Sequence, residues 1–132
     1  MVKTDQFEAG QVWRMHGRPR DGDTHVLVLA VMDDAVVGRI YSVALTGVRI
    51  RNPAFEGGIQ TVLPHAPVTD EVLRADAVEL VSNEGPTARH PDFSDAYLQF
   101  RELYDEGNAG VFTINLREIL DLVEGTSGSA RS

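Results

Sequence analysis

Residues 25 to 51 hold two long β-type runs separated by a short turn signal, and no other feature constrains the fold of this chain more. His25 to Met32 (HVLVLAVM) is continuously apolar and β-branched. That pattern marks a strand buried on both faces, or the centre of a sheet or barrel. Asp33-Asp34 is a turn signal and predicts a hairpin into the next strand. Val36 to Arg51 (VVGRIYSVALTGVRIR) is the longest β segment. Val37, Tyr41, Val43 and Leu45 alternate onto one face, and after Gly47 the apolar parity flips to Val48 and Ile50. A change of parity at a glycine predicts a β-bulge there. With one extra residue at Gly47, Val43, Leu45, Val48 and Ile50 share the core face. Arg49 and Arg51 then point outward, beside Ala44 and Thr46. Without the bulge, two arginines would fall into the core at high cost.

The rest of the strand half is shorter. Gln11 to Met15 reads as a strand after a turn at Gly10, and Gly17 to Asp23 (GRPRDGD) reads as a loop. Asn52-Pro53 ends the long strand. Ile59 to Leu63 is a further strand, and Pro64 and Pro67 fix an extended entry to a helix. Thr69 is the expected N-cap, with Asp70 and Glu71 in the first turn. Leu73, Ala77, Leu80 and Val81 form a stripe at helical spacing.

Two more helices follow a loop at Ser82 to His90. Asp92 is the expected cap of the first, with Asp95 at the capping-box position. Phe93, Tyr97, Phe100 and Tyr104 make an aromatic stripe toward the core, and Gly107 is the stop. Val111 to Ile114 is a short strand or link that rejoins the sheet. Asn115 caps the last helix and Glu118 completes its box. Leu116, Ile119, Leu120 and Val123 bury one face of that helix, and Gly125 ends it. Strands first and helices after argue an α+β fold. The expectation is a small antiparallel sheet or partly closed β-barrel from about residue 11 to 63, with three helices packed on one side or end. Residues 1–125 form a single domain and 126–132 (TSGSARS preceded by Gly125) a disordered tail.

Composition narrows the function. At 132 residues the chain suits one domain able to bury a core without staples. It has no cysteine, which excludes a disulfide framework, a thiolate zinc site, an iron–sulfur cluster and a cysteine nucleophile. No signal peptide or spanning segment is visible, and a cytoplasmic location is expected. Eleven Arg against one Lys points to a GC-rich coding sequence and a bacterial source. Residues 1 to 60 carry seven basic and seven acidic side chains, whereas residues 61 to 132 carry five basic and thirteen acidic. The whole net charge of −8 therefore lies on the helical half. Such a balance opposes nucleic acid and anionic membranes and attracts a basic partner.

Motifs for chemistry are absent. His16 and His25 flank Asp21 and Asp23, but their spacing fits no metal-ligand scheme, and a solvated loop explains them. Asp33 and Asp34 are adjacent, so on a strand they point to opposite faces. No phosphate loop, Walker or nucleophile-elbow pattern occurs. No catalytic residue, metal or cofactor is assigned. Arg14, Arg18, Arg20, Arg39, Arg49 and Arg51, with Tyr41, could make a nucleic-acid stripe. A second aromatic at stacking spacing is missing, and pairing with the protein's own carboxylates is the simpler reading.

GQVW, the strand ending YSVALTGVRIRNP, the helix entry LPHAPVTDEVL and the late GNAGVFTINLREILDLVE resemble a family of short uncharacterised bacterial proteins. The resemblance spans Gly10 to Glu124 and implies a single-domain bacterial protein, with no function to carry over. It marks Asn52, Pro53 and His65 for testing.

The leading expectation is a non-enzymatic acidic interaction protein of antitoxin or immunity type. Its helical half would bind a basic partner protein through Asp95, Glu102, Asp105 and Glu106. The alternative is a small-molecule-binding or enzymatic domain, with an anionic ligand held near Trp13, Tyr41, Arg49, Arg51 and His65. The two part on one geometric point, whether Arg49, Arg51 and His65 converge in a cleft.

Overall fold

The computed structural model describes residues 7–129. It is a small α+β fold: a five-stranded, wholly antiparallel open sheet with three helices. The strands are β1 (Val12–Met15), β2 (Thr24–Asp34), β3 (Gly38–Arg51), β4 (Ile59–Thr69) and β5 (Ala77–Ser82), in the order β4-β3-β2-β1-β5. The helices are α1 (Asp70–Asp76), α2 (Pro91–Asp105) and α3 (Leu116–Ser129).

The expected hairpin joins β2 to β3. Asp34 holds it, its Oδ1 accepting the backbone N–H of Val36 at 2.7 Å and of Val37 at 3.0 Å. The Gly47 bulge is also present. Gly47 has φ +73°, and the β3–β4 register shifts between Thr46 and Ile50. Tyr41, Val43, Leu45, Val48 and Ile50 consequently all lie in one buried cluster, and Arg49 and Arg51 are exposed.

The sheet is strongly coiled. Thr69 pairs with Ile40, which pairs with Met32, whereas Ala77 pairs with Met15, which pairs with Thr24. Met32 and Thr24 are eight residues apart on β2, roughly 26 Å along a strand. A seven-residue helix, about 10 Å long, connects Thr69 to Ala77. Only a sheet wrapped toward itself brings those two points within such a short reach. The concave side holds the larger core, closed by Val72 and Leu73 of α1 and by Leu116, Ile119 and Leu120 of α3. The convex side carries a second cluster of Leu27, Leu29 and Ala44, covered by Phe93 of α2.

Several expectations need correction. The helices do not share one side of the sheet: α1 and α3 close the concave face, and α2 covers the convex one. The helical stripe through Val81 is half a helix. After Asp76 the chain turns into β5, where Val78, Leu80 and Val81 suit an extended edge beside β1. The extended entry at Pro64 and Pro67 leads into α1 as expected, but the strand does not end at Leu63: β4 runs on to Thr69 as an edge strand, where a missing N–H is tolerated. His90, not Asp92, caps α2: its Nδ1 accepts the Asp92 N–H at 3.1 Å, with Pro91 in the first helical turn. Phe112 touches β4 only as a single parallel bridge to Val68. The α3 capping box forms as expected, Asn115 Oδ1 accepting the Glu118 N–H and Glu118 Oε1 the Asn115 N–H. α3 does not stop at Gly125, which lacks the positive φ of a helix stop, and it runs to Ser129. Residues 130–132 of the expected tail lie outside the described residues.

Candidate functional site

α2 has two chemically opposite sides. Phe93 and Phe100 are buried against the sheet, and Tyr97 and Tyr104 lie half-buried beside them. The Tyr104 hydroxyl donates to Asp34 Oδ2 and pins the end of the helix to the β2–β3 hairpin. Gly107, at φ +79°, ends the helix as expected, with its N–H donating to the Tyr104 carbonyl at 2.9 Å.

The opposite side is exposed along its length. Asp92, Asp95, Glu102, Asp105 and Glu106 are all exposed there. On a helical projection they fall within one arc centred on Asp95. Two leucines share that arc, Leu98 at 61% and Leu103 at 47% exposure. Asp105 faces Arg101 at 3.5 Å, and Arg101 also donates to the Tyr97 hydroxyl at 3.3 Å. Asp95 and Glu102 make no ion pair among the described residues. This surface offers negative charge and apolar area, the ingredients of recognition. Leu98 and Leu103 were not singled out in the sequence, although a projection of α2 opposite its aromatic stripe would have shown them.

Next to this face runs a cleft of about 770 Å³. Leu29, Ala30 and Val31 of β2 line it, with Ala88, Tyr97 and Leu98 from the α2 side and Arg89, Thr87 and Ser94 as its polar groups. His65 of β4 packs beneath α2, its ring 4.9 Å from Phe100 and 6.1 Å from Tyr97. Its Nε2 has no hydrogen-bond partner among the described residues, and burial pushes its pKa down to about 4.

Of the five residues expected around an anionic ligand, Trp13 and Tyr41 meet across Phe7, at 5.1 and 5.6 Å from its ring, and the other three lie elsewhere. Tyr41 is fully buried on the concave side, with its hydroxyl donating to Asp70 at 3.1 Å. Trp13 packs edge-on against Phe7 at 5.1 Å and donates from Nε1 to Gln11. His65 lies on the convex side under α2. Arg49 and Arg51 stand apart from all three, beside α3. Arg51 donates its N–H to Glu124 at 2.7 Å, and the backbone N–H of Arg49 is held by Asp21 at 2.8 Å.

Arg18 organises that region. Its side chain is 5% exposed and that of Asp21 fully buried. Nε and Nη2 of Arg18 donate to the two Asp21 oxygens, Nη1 to Asp121 and Glu124, and Nη2 also to the Arg49 carbonyl. Glu124 further accepts from Arg20 at 2.8 Å. Burial raises the carboxyl pKa of Asp21 and of Glu124, but hydrogen bonds and neighbouring arginines outweigh it and hold both below their ordinary values. Arg14 pairs with Glu79 and Arg39 with Asp33. Arg14, Arg18, Arg20, Arg39 and Arg51 are thus paired with the protein's own carboxylates. Asp21 of the DGD loop serves Arg18, and no three His, Asp or Glu gather as a metal site among the described residues. Pairing of these arginines with the protein's own carboxylates matches the sequence reading, but the choice of Asp121 and Glu124, about a hundred residues from Arg18, carries no local signal.

No helix among the described residues is long and apolar enough to cross a membrane. No family model, no curated protein and no solved structure matches this chain.

Proposed function

We propose that this is a non-enzymatic acidic interaction protein, acting in the cytoplasm, whose α2 face binds a basic partner protein in an antitoxin or immunity type of role. The observation that carries the reading is the outward arc of α2, where Asp95 and Glu102 stand exposed and, among the described residues, without ion pairs beside the exposed Leu98 and Leu103. Exposed carboxylates along one helix steer a cationic partner and set its register, and apolar side chains in their midst supply desolvated contact. The arginine half supports the same reading from the other side, because Arg14, Arg18, Arg20, Arg39 and Arg51 are paired with the protein's own carboxylates and do not compete for the helix. The alternative, an anionic ligand near Arg49, Arg51 and His65, is less well supported, since His65 packs under α2 and Arg49 and Arg51 lie beside the Asp21 and Glu124 region.

The test is an affinity pull-down from a bacterial host lysate with tagged protein at low and high salt, followed by mass spectrometry. The expected result is one stoichiometric basic protein, released at high salt and not retained by the Asp95→Asn, Glu102→Gln, Asp105→Asn, Glu106→Gln variant. Identical captures by the variant and the parent would sink the reading.

A further inference from the structure

The cleft beside α2 is open and largely apolar, with Arg89 its one charged lining residue and the carboxylates of α2 on the adjoining helix face. Its volume of about 770 Å³ falls within the range of ligand clefts, roughly 300–1,000 Å³. Leu98 forms part of its wall while remaining 61% exposed, so its side chain is available to a covering group. Asp95 and Glu102 sit one helical turn before and after Leu98 on the same surface. The nearest helix cation, Arg101, is committed to Asp105 and Tyr97. Arg89 is the one cation on the lining. A group entering over Leu98 therefore meets carboxylates on both sides along the helix and hydrocarbon from Leu29, Val31 and Ala88 below.

We propose that this cleft seats the apolar anchor of a basic partner segment, an aromatic or long aliphatic side chain flanked by Lys or Arg. The proposal rests on the reading of α2 as the partner-binding face and specifies what that partner must carry. Charge complementarity selects the occupant, since an uncharged apolar segment would leave Asp95 and Glu102 partly desolvated without compensation. The two contributions differ in their response to salt. The carboxylates' share is screened, and the cleft's share is not.

Two fluorescently labelled synthetic peptides of equal positive charge test this. One spaces its Lys and Arg with Gly and Ser, and the other replaces the central Ser with Trp. Anisotropy titrations at about 50 mM and about 500 mM salt measure both. The Trp peptide is expected to bind the protein at least about tenfold more tightly at either salt, a gap of about 1.4 kcal/mol. Leu98→Ser should remove that gap and leave the Gly/Ser peptide unchanged. Asp95→Lys with Glu102→Lys should weaken both peptides alike. Equal binding of the two peptides, with no effect of Leu98→Ser, overturns the anchor and leaves the acidic face standing. Failure of both peptides to bind overturns the two readings together. Dimerisation that Leu98→Ser abolishes, in sedimentation without peptide binding, would assign the cleft to a second copy and equally overturn the proposal.

Discussion

At the scale of single residues, two positions have consequences out of proportion to their size. Gly47 sits at φ +73°, and a Cβ there would lie 1.8 Å from the Asp23 carbonyl oxygen and 2.7 Å from its carbon. Backbone cannot move aside as a flexible side chain can. Gly47→Ala combines that clash with a strained backbone conformation, so a loss of at least about 3 kcal/mol is expected in urea unfolding, beyond the usual range for a surface glycine. A loss below about 1 kcal/mol would show that the 17–23 loop yields easily. His65 makes stability depend on pH. Its folded pKa of about 4 lies below the ordinary 6.5, so the unfolded chain binds the proton more readily. Stability is complete above pH 6.5 and falls as pH drops from there toward about 4, by about 3 kcal/mol in total. His65→Leu should flatten that interval in a series of unfolding curves.

At the scale of elements, the Arg18 cluster ties the loop between β1 and β2 to the end of α3. Every donor group of its guanidinium is engaged, and its partner Asp21 has no access to water. Arg18→Met strands a buried carboxylate and should cost about 3–5 kcal/mol. Arg20, whose side chain is 48% exposed, contributes to the same Glu124 from solvent, and Arg20→Met should cost less than about 1 kcal/mol. Equal losses in thermal denaturation would mean that the network is not organised around Arg18. The depressed carboxyls of Asp21 and Glu124 add a second acid-labile contribution, present above the ordinary carboxylate range and lost as pH falls through their lowered values. It should survive His65→Leu, which separates it from the histidine's effect.

At the scale of the molecule, two cores of unequal size share one sheet. The concave cluster joins β1 to β4 with α1 and α3, whereas the convex one consists of Leu27, Leu29 and Ala44 of the sheet with Phe93 of α2. α2 should accordingly open at lower free energy than β2 and β3. Native-state hydrogen exchange is expected to show α2 amides exchanging through a sub-global opening, with the central strands exchanging only on global unfolding. Equal protection in both would make α2 an integral part of the main core. In the expected outcome, the proposed partner-binding helix is the least anchored large element of the fold. A bound partner would raise its protection without changing that of β3.

Local pattern alone determined much of this protein. The parity flip in VALTGVRI required a bulge at Gly47. Asn115 and Glu118 required a capping box, and the aromatic stripe of α2 chose its inward side. Each of these is a contest among neighbours within a few residues, and composition and period decide it. Tertiary structure decided the rest. Ala77 to Ser82 could serve as helix or strand, and only the free edge of β1 made it a strand. The convex seat of α2, the burial of Arg18 with Asp21, and the separation of Tyr41 from His65 depend on how the sheet coils. The placement of the −8 charge was visible in the chain. That part of it stands on an exposed face beside an apolar cleft follows from long-range pairing, for which no local residue pattern carries a signal.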